Sequence, residues 1–146
     1  MAQHVELANV RSDEQREVME RIFVEDKCPF CSENLPRHHK KPINRNWKHW
    51  LVTENQWAYD NSKLHFLVIS RRHLEDIQDL SAEESQELLF ITKWLQNLHR
   101  ISSGALAMRF GEPGPAGATI RHLHAHVIVP DPDGEGPVLF HIGPKK

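Results

Sequence analysis

Arg121-His122-Leu123-His124-Ala125-His126-Val127-Ile128-Val129 places an imidazole at every second position and then runs into a β-branched stretch. That is the two-residue period of a β-strand. Successive side chains of a strand point to opposite faces, so His122, His124 and His126 share one face and Leu123, Ala125 and Val127 the other. Neighbouring imidazoles on that face stand roughly 6–7 Å apart, twice the rise per residue. Each carries two polar nitrogens, which makes a row of three poor core filling and good site material. A metal ion can bridge neighbours in such a row, or each imidazole can take a separate task.

The strand is fed by Gly111-Glu112-Pro113-Gly114-Pro115-Ala116-Gly117-Ala118-Thr119, a loop with three glycines. Glycines let a backbone approach a ligand closely, and successive N–H groups in such turns can form an anion nest. The loop lacks the Gly-Lys-Ser/Thr and the following helix of a Walker loop. Upstream, His65-Phe66-Leu67-Val68-Ile69-Ser70 reads as a long central strand, with Arg71-Arg72-His73 just past its end. Trp50–Thr53 and Trp57-Ala58-Tyr59 read as two short strands, Ala105 to Phe110 as another, and Val138-Leu139-Phe140 as a terminal edge strand. Asn61-Ser62 is turn chemistry.

Two helices carry clear start signals. Ser81 caps one and Glu84 completes a capping box, and Leu88, Leu89, Ile91, Thr92, Leu95 and Leu98 then form an apolar stripe. Ser12 caps the other, with Asp13 and Glu14 in its first turn, Gln15 in the box position, and a stripe of Val18, Met19, Ile22 and Phe23. Met1 to Val10 shows no periodicity and reads as a loose terminus. Residues 1–27 are thus an N-terminal segment with a helix, and 28–146 the body of the domain.

A chain of 146 residues with 39% hydrophobic and 26% charged residues is the size and composition of one globular domain. Its net charge of -2 gives no global pull towards nucleic acid or an anionic membrane, and no apolar run has the length of a transmembrane helix. Two cysteines cannot build a disulfide framework and point to a reducing, cytoplasmic compartment. Their spacing, Cys28-Pro29-Phe30-Cys31, is that of a zinc knuckle, in which two thiolates approach one ion from a tight turn. Such a knuckle needs two more ligands, and eleven histidines can supply them. From Arg37 to His49 there are five Lys/Arg and no acidic residue. This is either a solvated loop or an electropositive rim that steers a polyphosphate or a nucleic-acid end.

His122-Leu123-His124-Ala125-His126-Val127-Ile128 resembles the signature of the histidine triad family of nucleotide hydrolases and transferases. The segment Gly114 to Thr119 is similar to that family's glycine loop, and Phe66 to Ile77 to its strand ending in Ile-Pro-Lys-x-His. Cys28-Pro29-Phe30-Cys31 is similar to the Cys-x-Phe-Cys of its zinc-containing members, and all these elements stand in the expected order between Cys28 and Pro130. The resemblance implies an α+β fold, with an antiparallel sheet of about five strands and two main helices, commonly a homodimer. It implies a structural zinc on Cys28, Cys31, His73 and His122, with His65 a lesser competitor. It also implies that His124 attacks an α-phosphorus, giving a nucleotidyl-histidine that water or another acceptor resolves, supported by His126. Gly117, Ala118 and Thr119 would meet the phosphoryl charge, and Asp60 or Asn61 the ribose.

Two positions depart from the family pattern. Eleven residues before His122, where the family places a phosphate-binding Asn or Gln, stands Gly111, and Ala118 replaces a polar loop residue. Arg109 can substitute for the missing amide if its side chain faces the site. The leading expectation is a nucleotide-binding hydrolase or nucleotidyltransferase. The alternatives are a zinc-stabilised module that binds nucleotides or a partner without turnover, and a catalytic metal on the triad itself. The last leaves the cysteine pair unexplained.

Overall fold

The computed structural model describes residues 4–145. Helix α1 (Asp13–Glu25) opens at Ser12, whose hydroxyl oxygen accepts the Gln15 N–H at 3.1 Å. Gln15 Oε1 reaches back one residue beyond the cap and accepts from the Arg11 N–H at 2.8 Å. A single turn, α2 (Leu35–His38), precedes strands β1 (Ile43–Asn46), β2 (Trp50–Glu54) and β3 (Ser62–Ser70). Helix α3 (Ala82–Leu98) starts in the expected capping box, with Ser81 and Glu84 each bonding the other's backbone N–H. Strand β4 (Ala105–Ala107), the four-residue helix α4 (Pro113–Ala116) and strand β5 (His124–Pro130) complete the chain.

The five strands form one antiparallel sheet in the order β1-β2-β3-β5-β4. Strand alternation divides the core in two. Trp50, Val52, Phe66, Val68, Leu123, Ala125 and Val127 pack against Leu88, Ile91 and Leu95 of α3. On the other side Leu51, Leu67 and Ile69 pack with Val18, Met19 and Ile22 of α1 and with Cys28, Phe30 and Ile120. In the β3–β5 register Ile69 faces His124 and Leu67 faces His126, so the catalytic-looking imidazoles lie on the α1 side. No helix among the described residues is long and apolar enough to cross a membrane.

The expected terminus, strands and basic loop need correction. Residues 4–10 are not loose: Val5 pairs with Ile120, Glu6 N–H bonds Thr119 O at 2.6 Å, and Val5 and Val10 are buried. Residues 1–3 fall outside the described chain. Trp57–Tyr59 is not a strand, because its donors go to side chains: Trp57 N–H to Asn55 Oδ1 at 2.9 Å and Tyr59 N–H to His65 Nδ1 at 3.1 Å. Val138–Phe140 pairs with no strand and lies instead across the sheet's histidine face, where Phe140 meets His126. Ladder pairing at 105–110 stops at Ala107. The basic stretch Arg37–His49 contains the end of α2 and the whole of β1.

Candidate active site and metal centre

Cys28 and Cys31 follow the left-handed turn at Asp26 that ends α1, His73 follows the end of β3, and His122 precedes β5. Their ligand atoms all lie within 4.8 Å of one another. Cys28 Sγ is 3.3 Å from His122 Nδ1, Cys31 Sγ is 3.3 Å from His73 Nδ1 and 3.8 Å from His122 Nδ1, and the two Nδ1 atoms are 3.1 Å apart. Four N/S ligands around a tetrahedral zinc stand about 3.3–3.8 Å from each other, given the usual bond lengths. The tautomers fit as well. His122 Nε2 lies 2.7 Å from Ser70 O, which can only accept, so Nε2 carries the proton and Nδ1 presents its lone pair to the cluster. His73 Nε2 likewise has a carboxylate, Glu75, at 3.4 Å. Two imidazole lone pairs 3.1 Å apart repel unless a cation or proton lies between them. Burial lifts the Cys28 thiol and pushes Cys31 up to about 12, so a dithiolate here needs a compensating positive charge.

His124, two residues on, points into the sheet's α1 side. Its Nδ1 donates to His122 O at 2.7 Å, leaving the Nε2 lone pair free. Burial lowers its pKa to about 4, so the imidazole is neutral at pH 7. A second tautomer is fixed by a relay. Tyr59 N–H donates to His65 Nδ1, which places the proton of neutral His65 on Nε2. That Nε2–H donates to His126 Nδ1 at 2.8 Å, so His126 in turn carries its proton on Nε2. Asn55 Nδ2, 3.3 Å from His65 Nε2, is then a contact between donors and not a hydrogen bond. Burial keeps both rings neutral, with His65 lowered to about 3 and His126 well below its usual value. The pair therefore presents a lone pair on His124 and an N–H donor on His126.

Both face an open cavity, lined on its apolar side by Val18, Met19, Ile22, Phe30 and Leu67. Phe30 meets His124 edge-on at 5.0 Å. Arg109 also lines the cavity, so its side chain does face the site. Its Nε donates to His141 O at 2.8 Å, its Nη1 to Tyr59 Oη at 3.3 Å, and its guanidinium lies 4.0 Å over the Phe140 ring.

The loop residues are placed less simply. Gly117 N–H and Ala118 N–H both bond Pro113 O, closing α4, so they do not form the expected anion nest. Gly117 holds φ at 92° and a Cβ there would stand 2.4 Å from Gly143 O. Its glycine therefore serves the approach of the C-terminal segment. Ala118 is buried, whereas Thr119 lines the cavity. Gly111 also has positive φ, 81°, and nothing stands within 4 Å of a Cβ built there, so no neighbour fills the absent amide's place. Asp60 and Asn61 line an adjoining groove, not the cavity itself. Asn61 bonds Pro137 O and the Glu135 N–H, holding the turn after β5. His65 lies outside the metal cluster. Arg11, Tyr59 and Phe140 complete the surroundings of the triad and were not singled out from the sequence.

Residues 27–138 match the family model for the scavenger mRNA decapping enzyme C-terminal binding domain, a histidine triad-like family. The chain belongs to the histidine triad family. No curated protein matches it by sequence. Solved histidine triad structures share the fold at low identity. A zinc-bound histidine triad protein from Mycobacterium smegmatis is 21% identical over 81% of this chain and 84% of its own, with a TM-score of 0.59. A histidine triad hydrolase from Clostridium thermocellum is 21% identical over 79% and 98%, with a TM-score of 0.58. A hypothetical histidine triad nucleotide-binding protein from Sulfolobus tokodaii is 24% identical over 82% and 80%, with a TM-score of 0.56.

Proposed function

We propose that this histidine triad protein hydrolyses or transfers a nucleoside monophosphate through a covalent intermediate on His124. The observation that carries the reading is the pair of fixed tautomers: His124 Nε2 is an unprotonated nucleophile beside the Nε2–H of His126. Attack by Nε2 on the α-phosphorus forms a P–N bond and breaks the bond to the leaving group, which departs with the electron pair. The His126 N–H donates a hydrogen bond to a phosphoryl oxygen or to the leaving atom, and Arg109 adds positive charge. Water or another acceptor then breaks the P–N bond and regenerates the imidazole. The apolar wall of the cavity accepts the nucleoside, and Thr119 stands beside the phosphoryl position. Of Asp60 and Asn61, both in the adjoining groove, Asp60 is the one left to take a ribose, since Pro137 O and the Glu135 N–H engage the Asn61 side chain.

We infer that Cys28, Cys31, His73 and His122 hold a structural zinc. Four protein ligands leave it no open position, so it would act on catalysis only by fixing the start of β5. A reading of the chain as a binding module rests on Gly111 and Ala118, but Arg109 lines both the hollow beside these two residues and the cavity of His124.

Incubation with α-phosphorus-labelled nucleotide substrates, stopped in alkaline detergent, is expected to leave label on wild-type protein and none on His124→Ala with its zinc retained. Label persisting in His124→Ala, or absent from wild type across phosphoramidates, dinucleoside polyphosphates and nucleotide sugars, rejects the covalent reading.

A further inference from the structure

A second arginine reaches the triad from outside the residues that match the family. Arg11 belongs to the segment before α1, whereas the family match begins at residue 27. Its backbone is held firmly. The preceding Val10 is buried, Asn9 Nδ2 bonds Ala118 O at 2.8 Å, and the Arg11 N–H is fixed on Gln15 Oε1. The side chain then passes over the Tyr59 ring, with Cζ 4.4 Å from the ring centre, and one Nη2–H bonds Trp57 O at 2.7 Å. Arg109 approaches the hydroxyl of the same tyrosine. Both guanidiniums line the cavity that holds His124 and His126, and both line the groove that leaves it past Tyr59 and Asp60.

Two cations have thus been brought to one aromatic ring, where the charge of Asp60 acts on Arg11 without an ion-pair contact. Among the described residues no carboxylate lies within ion-pair distance of Arg11 or Arg109. A guanidinium has five N–H donors. Trp57 O occupies one on Arg11; on Arg109, His141 O takes Nε and Nη2 and Tyr59 Oη takes Nη1, which leaves donors on both for an oxyanion. Like charges held together in a partly desolvated site raise the energy of the empty site, and a multiply charged anion between them lowers it. The nucleoside monophosphate under attack places one phosphoryl group against His124 and His126. The groove beyond, between Arg11 and Arg109, is where the leaving group passes.

We propose that Arg11, with Arg109, is a binding and specificity-determining residue for a second phosphate, so that the site prefers substrates with a P–O–P linkage over those with a single phosphorus. The inference rests on the reading of His124 as the nucleophile. In such a substrate the bond broken joins the α-phosphorus to the bridging oxygen. The leaving group departs as a phosphate ester anion that needs no proton, and the guanidiniums neutralise the charge it gains.

The test uses zinc-loaded full-length protein as wild type, Arg11→Gln and Arg11→Lys, with two substrates and one inert ligand. Arg11→Gln is expected to lower kcat/KM for diadenosine triphosphate by about 10- to 100-fold, the effect of losing a charge-assisted hydrogen bond, and to change that for adenosine phosphoramidate by less than about threefold. Arg11→Lys, which keeps the charge and loses the fork, should fall between them. Calorimetry should show inorganic tripolyphosphate binding to wild type and weakening by the same factor in Arg11→Gln. Equal losses on both substrates, or unchanged tripolyphosphate binding, overturn the proposal. If no substrate labels His124 yet tripolyphosphate binding still depends on Arg11, the clamp stands and the catalytic reading falls. If phosphoramidate labels His124 but Arg11→Gln leaves the triphosphate rate unchanged, the reverse holds.

Discussion

His65 does more at the site than its place inside β3 advertises. It accepts from Tyr59 N–H and donates to His126 Nδ1, and so decides which nitrogen of His126 carries the proton. His65→Leu leaves both of those groups without a partner, at a cost of about 1–3 kcal/mol in stability for a buried donor or acceptor. It also frees His126 to change tautomer. The expected outcome is a fall in kcat of roughly 100-fold, the scale of a positioned proton donor, with zinc content intact. The nitrogen-15 shifts of His126 should move towards the Nδ1–H form; a tautomer unchanged in the mutant would refute the relay. The role was not legible beforehand because the contact runs diagonally across the β3–β5 register, in which His65 itself faces Ile128. Arg11 was hidden for a similar reason, since only the docking of residues 4–10 brings it to Tyr59. The triad histidines and Cys28-x-x-Cys31, by contrast, carry their chemistry in local spacing, and the structure brings the two groups together at His122.

At the scale of elements, the capped helices and the strongly apolar strands β2, β3 and β5 matched expectation, whereas short segments whose backbone donors are taken elsewhere did not. Ser12 and Ser81 cap α1 and α3 because a hydroxyl two or three residues from a free N–H needs no tertiary help. Trp57–Tyr59 has the composition of a strand, but Asn55 and His65 take its donors first. The start of α3 also carries an ion pair between a buried carboxylate and an exposed guanidinium. Glu84, with its side chain 4% exposed, accepts from Arg72 Nη2 at 2.8 Å and from the Ser81 N–H. The Arg72 guanidinium, ahead of every other cause, holds the Glu84 carboxyl down to about 2 from an ordinary 4.5. A lowered carboxylate pKa contributes stability that is complete above the unfolded-state value and disappears as pH falls through the folded one. This contribution should therefore be lost between about pH 4.5 and pH 2. Arg72→Ala is expected to move the midpoint of acid unfolding to higher pH, read by circular dichroism, and adding Glu84→Gln should cancel most of that shift. An unmoved midpoint would mean that the pair does not govern acid stability.

Across the whole molecule, the Cys28–Cys31–His73–His122 cluster joins segments that the sheet alone leaves apart. Cys28 and Cys31 belong to the connection after α1, His73 to the exit from β3, and His122 to the approach to β5. An ion on these four residues ties the N-terminal helix to the two central strands, and His124 Nδ1 is in turn held by the carbonyl of His122. Removing it should thus loosen α1 and the nucleophile together, while the α3 side, built on Trp50, Phe66 and Ile91, keeps its packing. Ligand linkage gives the size. A metal present at a thousandfold excess over its Kd stabilises the folded state by about 4 kcal/mol. For a chain of this length that is on the order of 10 °C in Tm. Purified protein should contain about one zinc per chain, as expected for a single four-ligand structural site. Chelation, or Cys28→Ala, should lower Tm by that amount and reduce labelling of His124, whereas His124→Ala should leave both zinc and Tm nearly unchanged. Equal zinc in Cys28→Ala would remove Cys28 from the site. Loss of zinc in His124→Ala would instead place the metal on the triad and reassign His124 from nucleophile to ligand.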